Sequence, residues 1–312
     1  MKQRTIELIN LLEEGKTCNE ICNTLGISNK QLYTYLTNLK NKGFFYNRKY
    51  YATGDITYKP LATTINSSTN NENTIITSTT QNIFKCLAIS DLHFGNLLDR
   101  VDLINKVFDF CKQNDIHIIF CCGDLVDGTF TKGIQKIQRY YEQLDYFAKN
   151  YPFDKNILTF AVLGDHDYSG LLCYHQSIIE LLKNYRHDIV LGNFNNSFVN
   201  IKNDKIHLFH HIDNGSMIKS NSSIILHGHA HKNSTEYKDS HLVIHVPSLS
   251  NINDSLPTIL ELNFEFKSGF IGNTKVKQIY FDNKPILLSE FNYDLIKGKT
   301  LSIGTIKNIE NK

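Results

Sequence analysis

Apolar positions recur at helical spacing near the start of the chain and in short strand-like runs beyond it. Between Thr5 and Glu14, Ile6, Ile9, Leu11 and Leu12 fall near a 3.6-residue period, and Gly15 supplies a stop. A second helix follows Thr17, carries Ile21 and Leu25, and ends near Gly26. Ser28 then caps a third helix with Leu32, Leu36 and Leu39 on one face. From Phe44 to Tyr58, aromatic runs around Asn47-Arg48 and Gly54-Asp55 predict a β-hairpin. Residues 60–82 are largely Thr, Asn and Ser with no apolar period, which predicts a linker between domains at 1–59 and 83–312.

After that segment the rhythm becomes strand, loop, helix. Phe84 to Ser90 reads as a buried strand, and Val101, Ile104, Val107, Phe108 and Cys111 mark a helix face. The unit repeats with a strand over 116–122, a helix from Ile134 to Phe147 and a strand over 157–163. Short apolar runs follow at 206–209, 224–226 and 242–246, and residues 259–291 alternate as an antiparallel sheet does. The expectation is a layered α/β core whose second sheet receives the tail.

Composition changes this picture little. At 41% hydrophobic and 21% charged the chain resembles ordinary globular proteins, and its net charge is +2. Residues 1–60 hold 9 Lys and Arg against 5 Asp and Glu, so the front end is the basic end. No apolar run reaches the roughly 18 residues of a membrane span, and the N-terminus lacks signal-peptide patterning, so a cytoplasmic protein with no membrane partner is expected. Seven cysteines, mostly in apolar stretches, suit reduced core thiols. Cys18 and Cys22 have no second Cys or His pair nearby with which to hold a metal.

Each strand delivers polar residues at its C-terminal end, where ligand sites of open α/β sheets collect. In order these are Asp91-Leu92-His93, Gly123-Asp124-Leu125-Val126-Asp127, Gly164-Asp165-His166-Asp167, His210-His211 and His227-Gly228-His229-Ala230-His231. Aspartates gathered in one pocket repel, and either raised pKa values or bound cations resolve that. The interleaved histidines favour cations. Carboxylate and imidazole donors without thiolate suit manganese, iron or zinc. Two such ions about 3.5 to 4 Å apart supply a hydroxide and hold the phosphoryl oxygens of an in-line displacement.

In order and spacing, the motifs resemble those of the calcineurin-like metallophosphoesterases, over about residues 83–290. The resemblance implies a metallophosphoesterase-type β-sandwich flanked by helices and a dinuclear phosphoester hydrolase. It places one ion on Asp91, His93, Asp124 and His231, and a second on Asp124, Asp165, His210 and His229. Manganese is the expected metal, with iron and zinc as alternatives. His166 would contact the phosphoryl group or protonate the leaving oxygen, with Asp127 orienting its ring. Two positions depart from the family. Asp165 stands where Asn is usual, adding a negative charge at the second ion. Gly128 stands where Ser/Thr protein phosphatases of the superfamily place an arginine, which disfavours that branch; the Asp-Leu-His-Phe-Gly opening looks more like the diesterase branches, and with the basic front end the expectation is a phosphodiesterase of nucleic acid or nucleotides.

The front segment resembles a small winged helix-turn-helix domain. That likeness implies DNA as a partner, through Asn29, Lys30, Gln31, Thr34, Asn38 and Lys40 on the third helix and Arg48 and Lys49 on the wing. Small winged modules also serve as protein-contact domains. A reading from another class is a non-catalytic DNA-binding regulator whose hydrolase-like domain senses metal or nucleotide; manganese-dependent turnover separates the two.

Overall fold

A computed structural model describes residues 3–61, 72–130, 134–174, 178, 182, 186–211, 222–238, 240–281, 284–296 and 299–303. Three helices come first: α1 (Gln3–Glu13), α2 (Cys18–Leu25) and α3 (Asn29–Asn41). Thr17 and Ser28 each close a reciprocal capping box, with Glu20 and Gln31, and Gly26 ends α2 at φ 61°. The inward stripe of α1 is Leu8, Leu11 and Leu12, at i, i+3 and i+4; Ile6, expected inward, is 50% exposed. The hairpin follows as β1 (Tyr46–Tyr51) and β2 (Ile56–Pro60).

The expected linker is partly structured. Glu72–Ile76 forms a strand, β3, that pairs in parallel with β1 through Tyr50–Ile75 and Tyr51–Ile76. Residues 62–71 lie outside the described residues. Backbone pairing along both edges of β3 supplies what its Thr- and Asn-rich side chains do not announce.

The body holds β4 (Ile83–Ile89), α4 (Val101–Gln113), β5 (Ile118–Cys121), α5 (Tyr140–Asn150), β6 (Leu158–Leu163), α6 (Asp165–Tyr174) and β7 (Ile189–Phe194). Next come β8 (Asn196–Ile201), β9 (Asp204–Phe209), β10 (Ile224–His227), β11 (Ser234–Lys238) and β12 (His241–His245). The tail gives β13 (Thr258–Lys267), β14 (Phe270–Phe281), β15 (Pro285–Asp294) and β16 (Lys299–Ile303). One sheet runs β16-β15-β14-β13-β4-β5-β6-β7, the other β11-β12-β10-β9-β8-β3-β1-β2. Strands β4 to β7 are mutually parallel, as strand-helix units require.

Two expectations need correction. The tail does not build the second sheet; β13 pairs antiparallel with β4, setting Phe264 against Phe84 and Leu262 against Cys86, and so extends the first. The helix expected from Ile134 starts at Tyr140, and Gln135 instead reaches back to the carboxylate of Asp127.

Between the sheets lie Phe84, Phe120, Phe160, Leu208, Leu226 and Leu262, and this core is continuous with the one beneath α1–α3. A second core joins Leu103, Val107, Leu144 and Phe147 of the helices to Ile89, Ile119 and Cys121. Six cysteines are buried thiols, and Cys173 is exposed.

The front helices and hairpin are fastened to the body where β6 and β7 begin. Tyr33 stacks on His187 at 4.2 Å between centroids, the Tyr58 hydroxyl lies 2.5 Å from His187 Nδ1, and Asn19 reaches Asn156. Among the described residues, no helix is long and apolar enough to cross a membrane.

Candidate metal centre

The polar motifs meet where the parallel strands end. The Asp91 and His93 turn follows β4, Asp124 follows β5, Asp165 opens α6 after β6, His210 follows β9, and His229 and His231 follow β10. These turns are tight. Asp91, His93, Asp124, His229 and His231 all take left-handed backbone, with φ between 47° and 62°. Gly164 is required by close approach, because a Cβ there would lie 2.0 Å from Asp124 Oδ1.

Two donor groups form, each with its atoms within 4.8 Å of one another: Asp91, His93 and His231, and Asp124, Asp165, His210 and His229. They adjoin, since His93 Nε2 is 3.7 Å and His210 Nε2 3.2 Å from Asp124 Oδ2. His231 Nε2 stands 3.2 Å from Asp91 Oδ1, and His229 Nδ1 3.4 Å from Asp165 Oδ1. All seven residues that the family resemblance names as candidate ligands therefore lie in these two adjoining groups. His211 is exposed and donates its main-chain N–H to Asn195. His210 is the one of that pair in the cluster.

Electrostatics and tautomers fit cation binding. Burial pushes the Asp91 carboxyl up, but His231, His210 and His93 outweigh it and hold it at about 2. Burial opposes the charged His210 ring as well, yet Asp124 and Asp165 raise its pKa well above the ordinary value. Burial likewise pushes Asp165 up, and His210 and His229 overcome this to bring it below the usual carboxylate range. His210 Nδ1 donates to the Cys122 carbonyl at 2.6 Å, so Nε2, aimed at Asp124 and Asp165, is the nitrogen that would give up its proton to a bound ion. His93 Nε2 is buried without a hydrogen-bond partner, and Asp91 Oδ1 is buried with the His231 ring beside it at 3.2 Å, an arrangement that a divalent ion relieves. The donor set, all oxygen and imidazole, fits such ions.

His166 sits beside this cluster, its ring 4.7 Å from that of His93. It is held by Asp127, though not through the carboxylate: Nδ1 donates to the Asp127 main-chain carbonyl at 2.6 Å. The Asp127 carboxylate instead accepts from Asn96 Nδ2 and Gln135 Nε2 and lies 3.4 Å from His93 Nδ1. The carboxylate therefore faces His93, and only the main-chain carbonyl of Asp127 meets His166. Burial lowers the His166 pKa, but Asp124 and the bond to Asp127 outweigh this and raise it.

A model of the calcineurin-like phosphoesterases matches residues 84–295. The chain belongs to that family. Among solved structures, this calcineurin-like phosphoesterase is similar to an archaeal phosphodiesterase at 19% identity and TM-score 0.43, over 63% of this chain and 99% of that one. It is similar to vacuolar protein sorting 29 from Cryptosporidium parvum at 17% identity and TM-score 0.41, over 67% and 97%. The phosphoesterase Yfce from E. coli matches at 14% identity and TM-score 0.38, over 72% and 100%. No curated protein matches.

Residues that sequence reasoning passed over support this phosphoesterase's centre. The Asp167 carboxylate accepts from the Val126 and Gly164 main-chain N–H groups, and its place in the Gly-Asp-His-Asp run was the available signal. Asn96, Gln135 and Asn195 carry no sequence signal; only the fold brings them near.

The residues expected to meet DNA sit apart from the centre. Lys30, Gln31, Thr34, Lys40 and Lys49 are exposed, but Gln31 is engaged in capping Ser28 and the Thr34 hydroxyl bonds the Lys30 carbonyl. Arg48 is half-buried, its guanidinium 5.9 Å over the Tyr58 ring and 3.4 Å from His187 Nε2, so it turns inward rather than to a phosphate. The front unit's anchors precede β6 and β7, whereas the candidate metal ligands follow the strands. A six-residue strand separates the two ends by roughly 20 Å.

Proposed function

We propose that this calcineurin-like phosphoesterase is a dinuclear metal-dependent phosphodiesterase acting on nucleic acid or nucleotides. The observation that carries this reading is the pair of donor groups meeting around Asp124, with His93 Nε2 buried and unpartnered among them. Asp91, His93, Asp124 and His231 would hold one ion, and Asp124, Asp165, His210 and His229 the other, manganese being the favoured metal. Such ions supply Lewis acidity and a nucleophile at neutral pH. The chain's own contribution is His166: with Nδ1 committed to the Asp127 carbonyl and a raised pKa, its Nε2–H is the proton donor for the leaving oxygen. Asp127 keeps His93 and His166 in register.

Support for a nucleic-acid substrate comes from the front unit, whose helix order and hairpin fit a winged helix-turn-helix module with Lys30, Lys40 and Lys49 exposed. Its distance from the centre suits a polymer that runs past the site better than a mononucleotide.

The test is a substrate panel of mono- and diesters, cyclic nucleotides, and single- and double-stranded DNA, assayed with manganese and with chelator. Asp124→Ala abolishes turnover and lowers metal content measured by mass spectrometry. His166→Ala slows turnover by about 10²- to 10⁴-fold while metal content stays. Metal-loaded protein inert on every member would overturn the reading in favour of a non-catalytic regulator. The front unit shares its core with the sandwich, so it is probed by substitution: Lys30→Ala with Lys49→Ala should flatten the salt dependence of DNA binding by about one unit of slope per lost phosphate contact.

A further inference from the structure

We infer that Phe130, Tyr168 and Phe194 form two stacking surfaces beside the metal-ligand cluster that take unpaired nucleobases on the two arms of a phosphodiester, which makes single-stranded nucleic acid the substrate. This rests on the phosphodiesterase reading above and narrows it.

Phe130 is 53% exposed, and its ring stands edge-on to His166 with centroids 5.7 Å apart. What sets this ring apart from other exposed apolar side chains is its place against His166, where it offers an aromatic face for stacking. Because His166 adjoins His93 and Asp127, a group lying on Phe130 is within reach of the ester oxygen that His166 serves.

The second surface is tied to the other ligands. Tyr168 is one turn along α6 from Asp165. Its ring stacks on Phe194 with centroids 4.4 Å apart and planes 27° off parallel, and Phe194 remains 41% exposed. Phe194 adjoins Asn195, whose main-chain N–H donates to the Leu163 carbonyl and whose own carbonyl accepts the His210 N–H. That lattice fixes the ring pair one residue away from the strand ends that deliver Asp165 and His210. Lys232, exposed directly after His231, adds a cation for a flanking phosphate.

A flat partner extends a ring-on-ring pair, whereas an acyl chain gains nothing from its planarity. Nucleobases are the flat groups a phosphodiester polymer carries, and stacking accepts any of them. In a duplex both base faces are already covered, so these rings engage a strand whose bases are unpaired.

The experiment measures binding of labelled oligothymidylate, alone and annealed to oligodeoxyadenylate, by fluorescence anisotropy in chelator, so the result does not depend on turnover. Wild type binds the single strand more tightly than the duplex. Phe194→Leu and Phe130→Leu each weaken single-strand binding by about 5- to 100-fold, and Phe194→Trp restores it. Thermal melts of each variant exclude misfolding. Leucine variants that bind like wild type, a preference for duplex, or tighter binding of a fatty-acyl phosphodiester that tolerates leucine each overturn the inference. Wild type that shows the aromatic dependence but hydrolyses no diester upholds the stacking surfaces and sinks the phosphodiesterase reading instead.

Discussion

Five of the seven metal-ligand candidates hold left-handed backbone, a conformation that costs about 1–2 kcal/mol for residues with a Cβ. Aspartate tolerates it better than most, but so many strained positions in one cluster persist only because surrounding packing over-determines them. A bound cation is the natural compensation. Manganese at about a hundred times its dissociation constant should therefore stabilise the fold by roughly 2.7 kcal/mol, read as a rise in melting temperature that Asp124→Ala loses. The glycines make the same point by close approach. Gly164→Ala would drive a methyl group to within 2.7 Å of the Asp124 main-chain nitrogen, so one loop must move. Overpacking of that kind costs about 1–3 kcal/mol; the expected result is a lower urea midpoint together with fewer bound metal equivalents.

Among the elements, the turns after β5 and β6 have to be held at a fixed separation, and Asp167 does this from the first turn of α6. Burial and the neighbouring Asp124 push its carboxyl up to about 7, yet its oxygens still receive the main-chain N–H groups of Val126 and Gly164. Removing the acceptor leaves two buried donors unpaired, at roughly 1–3 kcal/mol each. Asp167→Ala should accordingly lose several kcal/mol in urea unfolding, and Asp167→Asn, which keeps an amide oxygen, should lose less. Equal losses in the two variants would mean the carboxylate's role is not that of a shared acceptor.

At the scale of the molecule, His187 joins the front helices to the body. It is stacked on Tyr33, bonded to Tyr58 and close to Arg48. Burial lowers its pKa to about 2, with Arg48 and Lys40 adding to the effect. Below an ordinary value near 6.5 the unfolded chain binds a proton that the folded chain refuses. The stability held in neutral His187 is thus complete above about pH 6.5 and is lost as pH falls toward 2. Between pH 7 and 5 the loss from this residue should be about 2 kcal/mol. His187→Gln should flatten the pH dependence of unfolding by that amount; an unchanged slope would show that the ring is solvated.

The order of polar motifs at strand ends, the capped front helices and the hairpin were legible in the chain, because each is written in local spacing: turn residues, caps and apolar periods. The candidate ligands were named from the family resemblance of the same runs, and the structure brings those side chains to one edge of the sheets. Long-range pairing was not legible. That β13 joins β4, that polar Glu72–Ile76 completes a sheet, and that the front unit is sealed to the body through His187 depend on which backbone edges and buried faces meet across many residues. The same holds for Asp127, whose carboxylate goes to Asn96 and Gln135 while its carbonyl holds His166. A sequence states which atoms a residue carries; only tertiary packing decides which of them faces a given partner.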